Sequence, residues 1–202
     1  MNTKEKILKE ALKQFNASGV EQVTTRHIAK GLSMSQGNLH YHFPNKDELI
    51  EALYQNFTDQ IVSVSRQSTA VVFEKEEVLL SMQDSFRVMY AYRFLFRDNE
   101  AVWRRLPNLK RATLALLNRK KEEIRALIET YKKRKIFRAD ISDAQLDYLA
   151  NQFLFTIATW LNASEYLDIP AKRVDYFSRF IFRQWLPYLI PKEMASWEQL
   201  LK

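Results

Sequence analysis

The chain has 202 residues, is 47% hydrophobic, contains no Cys and carries a formal net charge of +7. Its apolar fraction suffices for a core without staples. The lack of Cys excludes disulfides, thiolate nucleophiles and Cys-based metal sites, in keeping with a reducing compartment. No apolar run follows the basic opening "MNTKEKILKE", and none reaches the roughly 18 to 20 residues that span a bilayer, so a soluble cytoplasmic protein with no membrane partner is expected. The charge permits a polyanionic partner without requiring one.

The three glycines are Gly19, Gly31 and Gly37. Beyond residue 37 the chain turns without glycine, and apolar residues recur at helical spacing throughout: Ile7, Leu8, Ala11, Leu12 and Phe15 first, then Met82, Phe86 and Met89, then Ile124, Leu127 and Ile128. No alternating strand pattern competes. The expected class is all-α, with short helices at 3–18, 25–32 and 36–42 and long ones at 46–68, 74–98, 107–135, 142–167 and 171–190. A short helical segment bridges 99–105. Two domains are expected, a helix-turn-helix domain over 1–48 and a larger helical bundle over 49–202.

Within "TTRHIAKGLSMSQGNLHYHF", residues Ile28, Ala29, Leu32, Met34, Leu39 and Phe43 are spaced so that two short helices cross closely, with the small Ala29 at the contact. Thr24 or Thr25 can cap the first helix, and Ser35 the second by accepting from the amides of 37 or 38. At 100° per residue Leu39 and Phe43 point one way and Gly37 and Tyr41 the other, flanked by Asn38 and His40. Gly37 lets a partner approach the backbone, while Gln36, Asn38 and His40 offer groups suited to base edges. Asn45 can cap the next helix, whose first residue, Lys46, stands where a phosphate would meet both its charge and the helix dipole. Helix pairs with a polar outer face also occur as ordinary solvated structure.

The order of residues is more specific than the spacing. Thr24, Thr25, Arg26, Ile28, Ala29, Leu32, Ser35, Gly37, Leu39, Tyr41, His42, Phe43, Lys46 and Leu49 match a pattern of Thr-Thr-x-x-Ile-Ala, Ser-x-Gly-x-Leu-Tyr-x-His-Phe and Lys-x-x-Leu. Over residues 3–50 the chain resembles the DNA-binding domain of the tetracycline-repressor (TetR) family. The resemblance implies a DNA-binding set of Thr25, Arg26, Ser35, Gln36, Gly37, Asn38, His40, Tyr41 and Lys46. In it Thr25 and Lys46 hold phosphates, Arg26 a phosphate or base, and residues 36–41 enter the major groove. Two positions depart from the family. Ser33 stands where Gly is usual in the turn, so the turn differs or Ser33 takes a positive φ. His40 stands where Tyr is usual, and it can still donate to phosphate.

His27, His40 and His42 are the only histidines. His40 and His42 face about 200° apart on a helix, and no Cys joins them, so no metal site is expected. With no Gly-rich phosphate loop and no histidine outside the first domain to act as base, neither a cofactor nor catalysis is expected. Charge is uneven. Residues 1–46 hold seven Lys or Arg against three Glu, whereas 104–138 hold thirteen against three. That run is either the wet face of a long helix or an attractor for DNA or an anionic effector.

The helices around "YLANQFLFTIATWL" and "VDYFSRFIFRQWLPYL" carry apolar residues on every side. Helices buried all round are expected to meet their copies across a two-fold axis through Phe153, Ile157, Phe177, Phe180, Ile181 and Trp185, or to form the centre of a monomeric bundle. Pro170 suits a first-turn position, and Pro187 with Pro191 is expected to bend or end the last helix. The aromatics of "MYAYRFLFRDNEAVW" are either core or, as the resemblance implies, walls of an effector pocket formed by Tyr90, Phe94, Trp103, Phe153 and Trp160. The expected function is a homodimeric repressor that binds a near-palindromic operator in double-stranded DNA and is released by a small apolar or amphipathic effector. The alternative is a helical-bundle enzyme or small-molecule carrier with the first domain as a docking module.

Overall fold

Short polar side chains begin the helices of the first fifty residues. The Asn2 side chain accepts from the Glu5 N–H at 2.9 Å while the Glu5 carboxylate accepts from the Asn2 N–H, a reciprocal cap that starts α1 (Thr3–Ser18). Gly19, at φ 80°, ends it by donating to the Phe15 carbonyl. Thr24 accepts from the His27 N–H at 3.2 Å to open α2 (Thr25–Gly31), and His27 Nδ1 accepts in return from the Thr24 N–H. Ser33 makes the turn at φ 52°. Ser35 then caps α3 (Gln36–His42) by accepting from the Asn38 N–H at 3.1 Å. Asn45 accepts from the Glu48 N–H at 3.0 Å in the first turn of α4 (Lys46–Gln67).

The computed structural model describes residues 2–67, 74–169 and 173–202. The expected position of Pro170 and the helix edges at 68 and 171 lie outside the described residues. Beyond α4 come α5 (Lys75–Ala91), α6 (Phe94–Arg97), α7 (Asn99–Arg105), α8 (Pro107–Lys133), α9 (Asp143–Tyr166), α10 (Arg173–Trp185) and α11 (Pro191–Leu200), with a 3-10 turn at Leu186–Tyr188. Among the described residues there is no strand, only an isolated bridge between Phe137 and Leu189. No described helix is long and apolar enough to cross a membrane.

Two departures from the expected elements have local causes. The helix expected over 74–98 breaks after Ala91, and Asn16 meets the groups the break exposes: its Nδ2 donates to the Ala91 carbonyl at 2.7 Å and its Oδ1 accepts from the Phe94 N–H at 3.1 Å. Pro191 does not end the last helix but starts a further one, α11, at the position where a missing N–H is harmless. Pro187 lies in the 3-10 turn just after α10.

The chain forms two compact units, and their boundaries fall within α4, α5 and α8. The first comprises residues up to Ser63 together with Val88–Ala112. In it α1 packs on α2 and α2 on α3, around Ile7, Ala11, Val20, Ile28 and Leu39, all fully buried. Phe94 of α6 lies 5.3 Å from Phe15, and Phe57 of α4 contacts Tyr92 and Phe96, so the 88–112 segment shares this core.

The second unit comprises Val64–Arg87 and Thr113–Lys202. There α9 packs on α10, Phe86, Trp160 and Phe177 form one ring cluster, and Tyr131, Phe137, Phe182, Trp185 and Trp197 form another. Arg179 and Arg183 donate to the Leu200 and Leu201 carbonyls at 2.6 and 2.9 Å, satisfying the end of α11. The cations of the basic stretch in this unit are largely paired: Arg119 and Lys120 with Glu123, Lys121 and Arg125 with Asp147, and Arg134 with Glu74. Such pairing accords with the outer face of a long helix.

Candidate nucleic-acid interface

The crossing of α2 and α3 sorts the residues of α3 into two sets. Leu39 is fully buried and Phe43, just past the helix, nearly so. Ser35, Gln36, Gly37, Asn38, His40 and Tyr41 are exposed, Tyr41 by 84%. A Cβ built on Gly37 would meet nothing within 4 Å, so no internal contact requires glycine there. Its bareness matters only to something outside the chain. The exposed set therefore offers amide, hydroxyl and imidazole groups around a bare stretch of backbone, on a helix held from behind by two apolar anchors.

Flanking side chains have defined places. Arg26 is exposed, and its Nε donates to Gln36 Oε1 at 3.3 Å, joining the first turn of α2 to the first residue of α3. Thr25 is half-buried at the start of α2. Lys46 differs from the exposed cation expected at a phosphate contact. Its ammonium donates to the Val20 and Val23 carbonyls at 2.8 and 3.0 Å, which holds the turn after α1 against the start of α4. Burial and then the neighbouring Arg105 push its pKa below the usual lysine range, while Asp47 and Glu21 pull the other way. Among the described residues no group of three or more His, Asp or Glu is placed to hold a metal.

The residues expected at a pocket are divided between the two units. Tyr90, Phe94 and Trp103 belong to the first unit, where Phe94 packs on Phe15, and Phe153 and Trp160 belong to the second. Trp160 lies with its ring centroid 5.0 Å from Phe86 and 5.3 Å from Phe177.

The residues expected between two copies are likewise mostly internal. Phe153, Ile157, Phe177, Ile181 and Trp185 are buried, Phe177 against Phe86 and Trp185 against Phe137 and Trp197, and of the six only Phe180 is exposed. The exposed aromatics on the same helices are Tyr148, Phe155 and Tyr166 on α9 and Tyr176 and Phe180 on α10. The three on α9 share one helical phase: at 100° per residue Tyr148, Phe155 and Tyr166 fall within about 20° of one another, opposite Ile157.

Residues 7–53 match the family described as bacterial regulatory proteins, tetR family, and residues 53–196 match TetR, bacterial transcriptional repressor. A stretch of 50 residues, 25% of the chain, is 40% identical to tetracycline repressor protein class C of Escherichia coli and spans 23% of that relative. A TetR-family transcriptional regulator from Marinobacter aquaeolei VT8 superposes with a TM-score of 0.87 at 24% identity, over 100% of this chain and 98% of that one. A gamma-butyrolactone receptor superposes with a TM-score of 0.70 at 16% identity, over 98% and 93%. Those two likenesses establish the fold, and the family matches, which together span most of the chain, establish the membership: this protein belongs to the tetR family of bacterial transcriptional regulators.

Proposed function

We propose that the protein is a homodimeric repressor that reads a near-palindromic operator with α3 and is released by a small apolar or amphipathic effector. The observation that carries the reading is the divided helix α3, with Leu39 anchored inside and Gln36, Gly37, Asn38, His40 and Tyr41 presented outside. One such helix covers only a few base pairs, so two copies about one helical turn of DNA apart are needed for a specific site.

The aromatic stripe Tyr148, Phe155 and Tyr166 on α9, with Tyr176 and Phe180 on the adjacent α10, supports the pairing of copies, because large exposed apolar side chains are better covered than wet. The effector in this reading comes with the family membership alone; Trp160 itself is packed against Phe86 and Phe177. Such an effector works only by binding one of two dimer conformations more tightly, and a coupling of about 1 to 3 kcal/mol shifts operator affinity several-fold to about a hundredfold.

The test is selection of duplexes from a random-sequence library by the full-length protein. Enrichment of a two-fold motif with half-sites about one turn, or a somewhat longer spacing, apart is expected. Recovery of unselected sequence would remove the reading and favour the enzyme or carrier with a docking domain.

A further inference from the structure

The first unit contains a cleft of about 380 Å³. Val20 and Glu21 line it from the turn after α1, Lys46 from the start of α4, and Ala101, Arg104 and Arg105 from α7. Three cations thus face one lining carboxylate. Lys46 is fixed by the Val20 and Val23 carbonyls, which take two of its three donors. Arg105 is fixed by its ion pair with Asp47. Arg104 is exposed and has no ion pair among the described residues.

We propose that this cleft is a phosphate site in which Arg104 supplies a free guanidinium and Lys46 and Arg105 supply positioned charge, the phosphate being that of a DNA backbone or of a free phosphorylated solute. A guanidinium presents a planar fork of donors that matches two phosphate oxygens, and the two fixed cations hold the field without needing to be ordered on binding. Burial first, and the neighbouring Arg105 second, push the Lys46 pKa down, and an anion in the cleft offsets the second of these. The site lies wholly within the first unit.

The DNA source rests on the DNA-binding reading above, and the solute source does not. Both are tested on the full-length protein with Arg104→Gln and with Arg111→Gln, which removes the same charge from the same unit outside the cleft. Inorganic pyrophosphate is titrated calorimetrically at constant ionic strength. In parallel, affinity for a random-sequence duplex is followed against salt. For a solute site, Arg104→Gln weakens pyrophosphate by roughly tenfold and Arg111→Gln leaves it unchanged. For a backbone site, Arg104→Gln lowers the slope of log affinity against log salt by about 1, and Arg111→Gln lowers it by less. Arg104→Lys, which keeps the charge but not the fork, should fall between wild type and Arg104→Gln in whichever arm responds. Equal behaviour of Arg104→Gln and Arg111→Gln in both arms would overturn the proposal. A protein that bound no duplex at all would overturn the DNA reading instead, and the pyrophosphate arm would still decide the cleft.

Discussion

The backbone N–H of Val20 donates to the carboxylate of Asp98 at 2.8 Å, joining positions 78 apart in sequence. Together with Asn16, whose amide bridges Ala91 and Phe94, it fastens the α6 and α7 segment to the helix that precedes the reading pair. Gly19 lies under the same carboxylate: a Cβ there would approach Asp98 Oδ2 to 3.1 Å, at a φ of 80° that side chains rarely adopt. Asn16→Ala leaves a carbonyl and an N–H without partners, so a loss of about 1 to 3 kcal/mol is expected. Urea unfolding with an unchanged midpoint would show that these bonds are replaced by water at no cost.

Ser33 gives a prediction of the opposite sign. It makes the turn between α2 and α3 at φ 52°, where a side chain is strained by roughly 1 to 2 kcal/mol relative to glycine. Ser33→Gly removes that strain but frees the unfolded chain, so a net gain of about 0.5 to 1 kcal/mol is expected. Ser33→Val should lose stability, because a β-branched side chain tolerates this region least. Thermal melts of the two variants that moved in the same direction would contradict the assignment of strain.

For DNA recognition the expected effects differ by position. Gln36→Ala and Asn38→Ala should flatten sequence preference, at about 1 to 3 kcal/mol per lost bidentate base contact. Arg26→Ala at the start of α2 should weaken all sequences more evenly and reduce the salt slope. Lys46→Ala is a poor probe of phosphate contact by itself, since it also breaks two bonds to the turn after α1 and should lower the melting temperature. Competition between enriched and scrambled duplexes measures the first effect, and a salt series the second.

Tyr92 titrates with a definite sign. Burial pushes its phenol above the ordinary tyrosine range, against the pull of the 2.7 Å hydrogen bond from Gln60. The folded state therefore keeps the proton longer than the unfolded chain does. Its contribution to stability is complete below the unfolded value of about 10 and is lost as pH rises through the folded value. Tyr92→Phe should remove this part of the alkaline loss, measured as the change in unfolding free energy between pH 8 and pH 11. An unaltered difference would mean that another group controls it.

The helix starts near the amino terminus were legible in sequence because each cap is local: Thr24, Ser35 and Asn45 act three residues away. The division of α3 into an anchored and a presented face was legible for the same reason, since 100° steps fix it. The break at Ala91 was not, because the side chain that makes it tolerable is Asn16, 75 positions upstream. Nor could periodicity decide which face of α9 and α10 the chain fills for itself. That depends on Phe86 and Trp197, which arrive from other helices. Pro191 showed the limit of a local rule, since the same residue that stops one helix suits the first position of the next.

That last ambiguity leads to a paired test on adjacent residues of α10. Phe180 is 39% exposed and Ile181 is 0% exposed. If copies of the chain pair through the outward aromatics, a carboxylate at Phe180 or Phe155 becomes an unpaired charge only in the dimer, and the protomer itself keeps its core. Phe180→Glu and Phe155→Glu should then yield folded protein that sediments as a monomer, with helical content and melting cooperativity retained. Operator affinity should fall with the loss of pairing, because a single α3 reads only one half-site. Ile181→Glu places the same charge where no water reaches it, and an isolated buried carboxylate costs several kcal/mol or forces the segment open. That variant should be insoluble or unfolded, whatever the state of assembly. The contrast separates the two kinds of burial on one helix. Phe180→Glu and Phe155→Glu proteins that remained dimeric in sedimentation at micromolar concentration would place the pairing surface elsewhere. A wild-type protein that sedimented as a monomer would leave the aromatic stripe without its proposed partner.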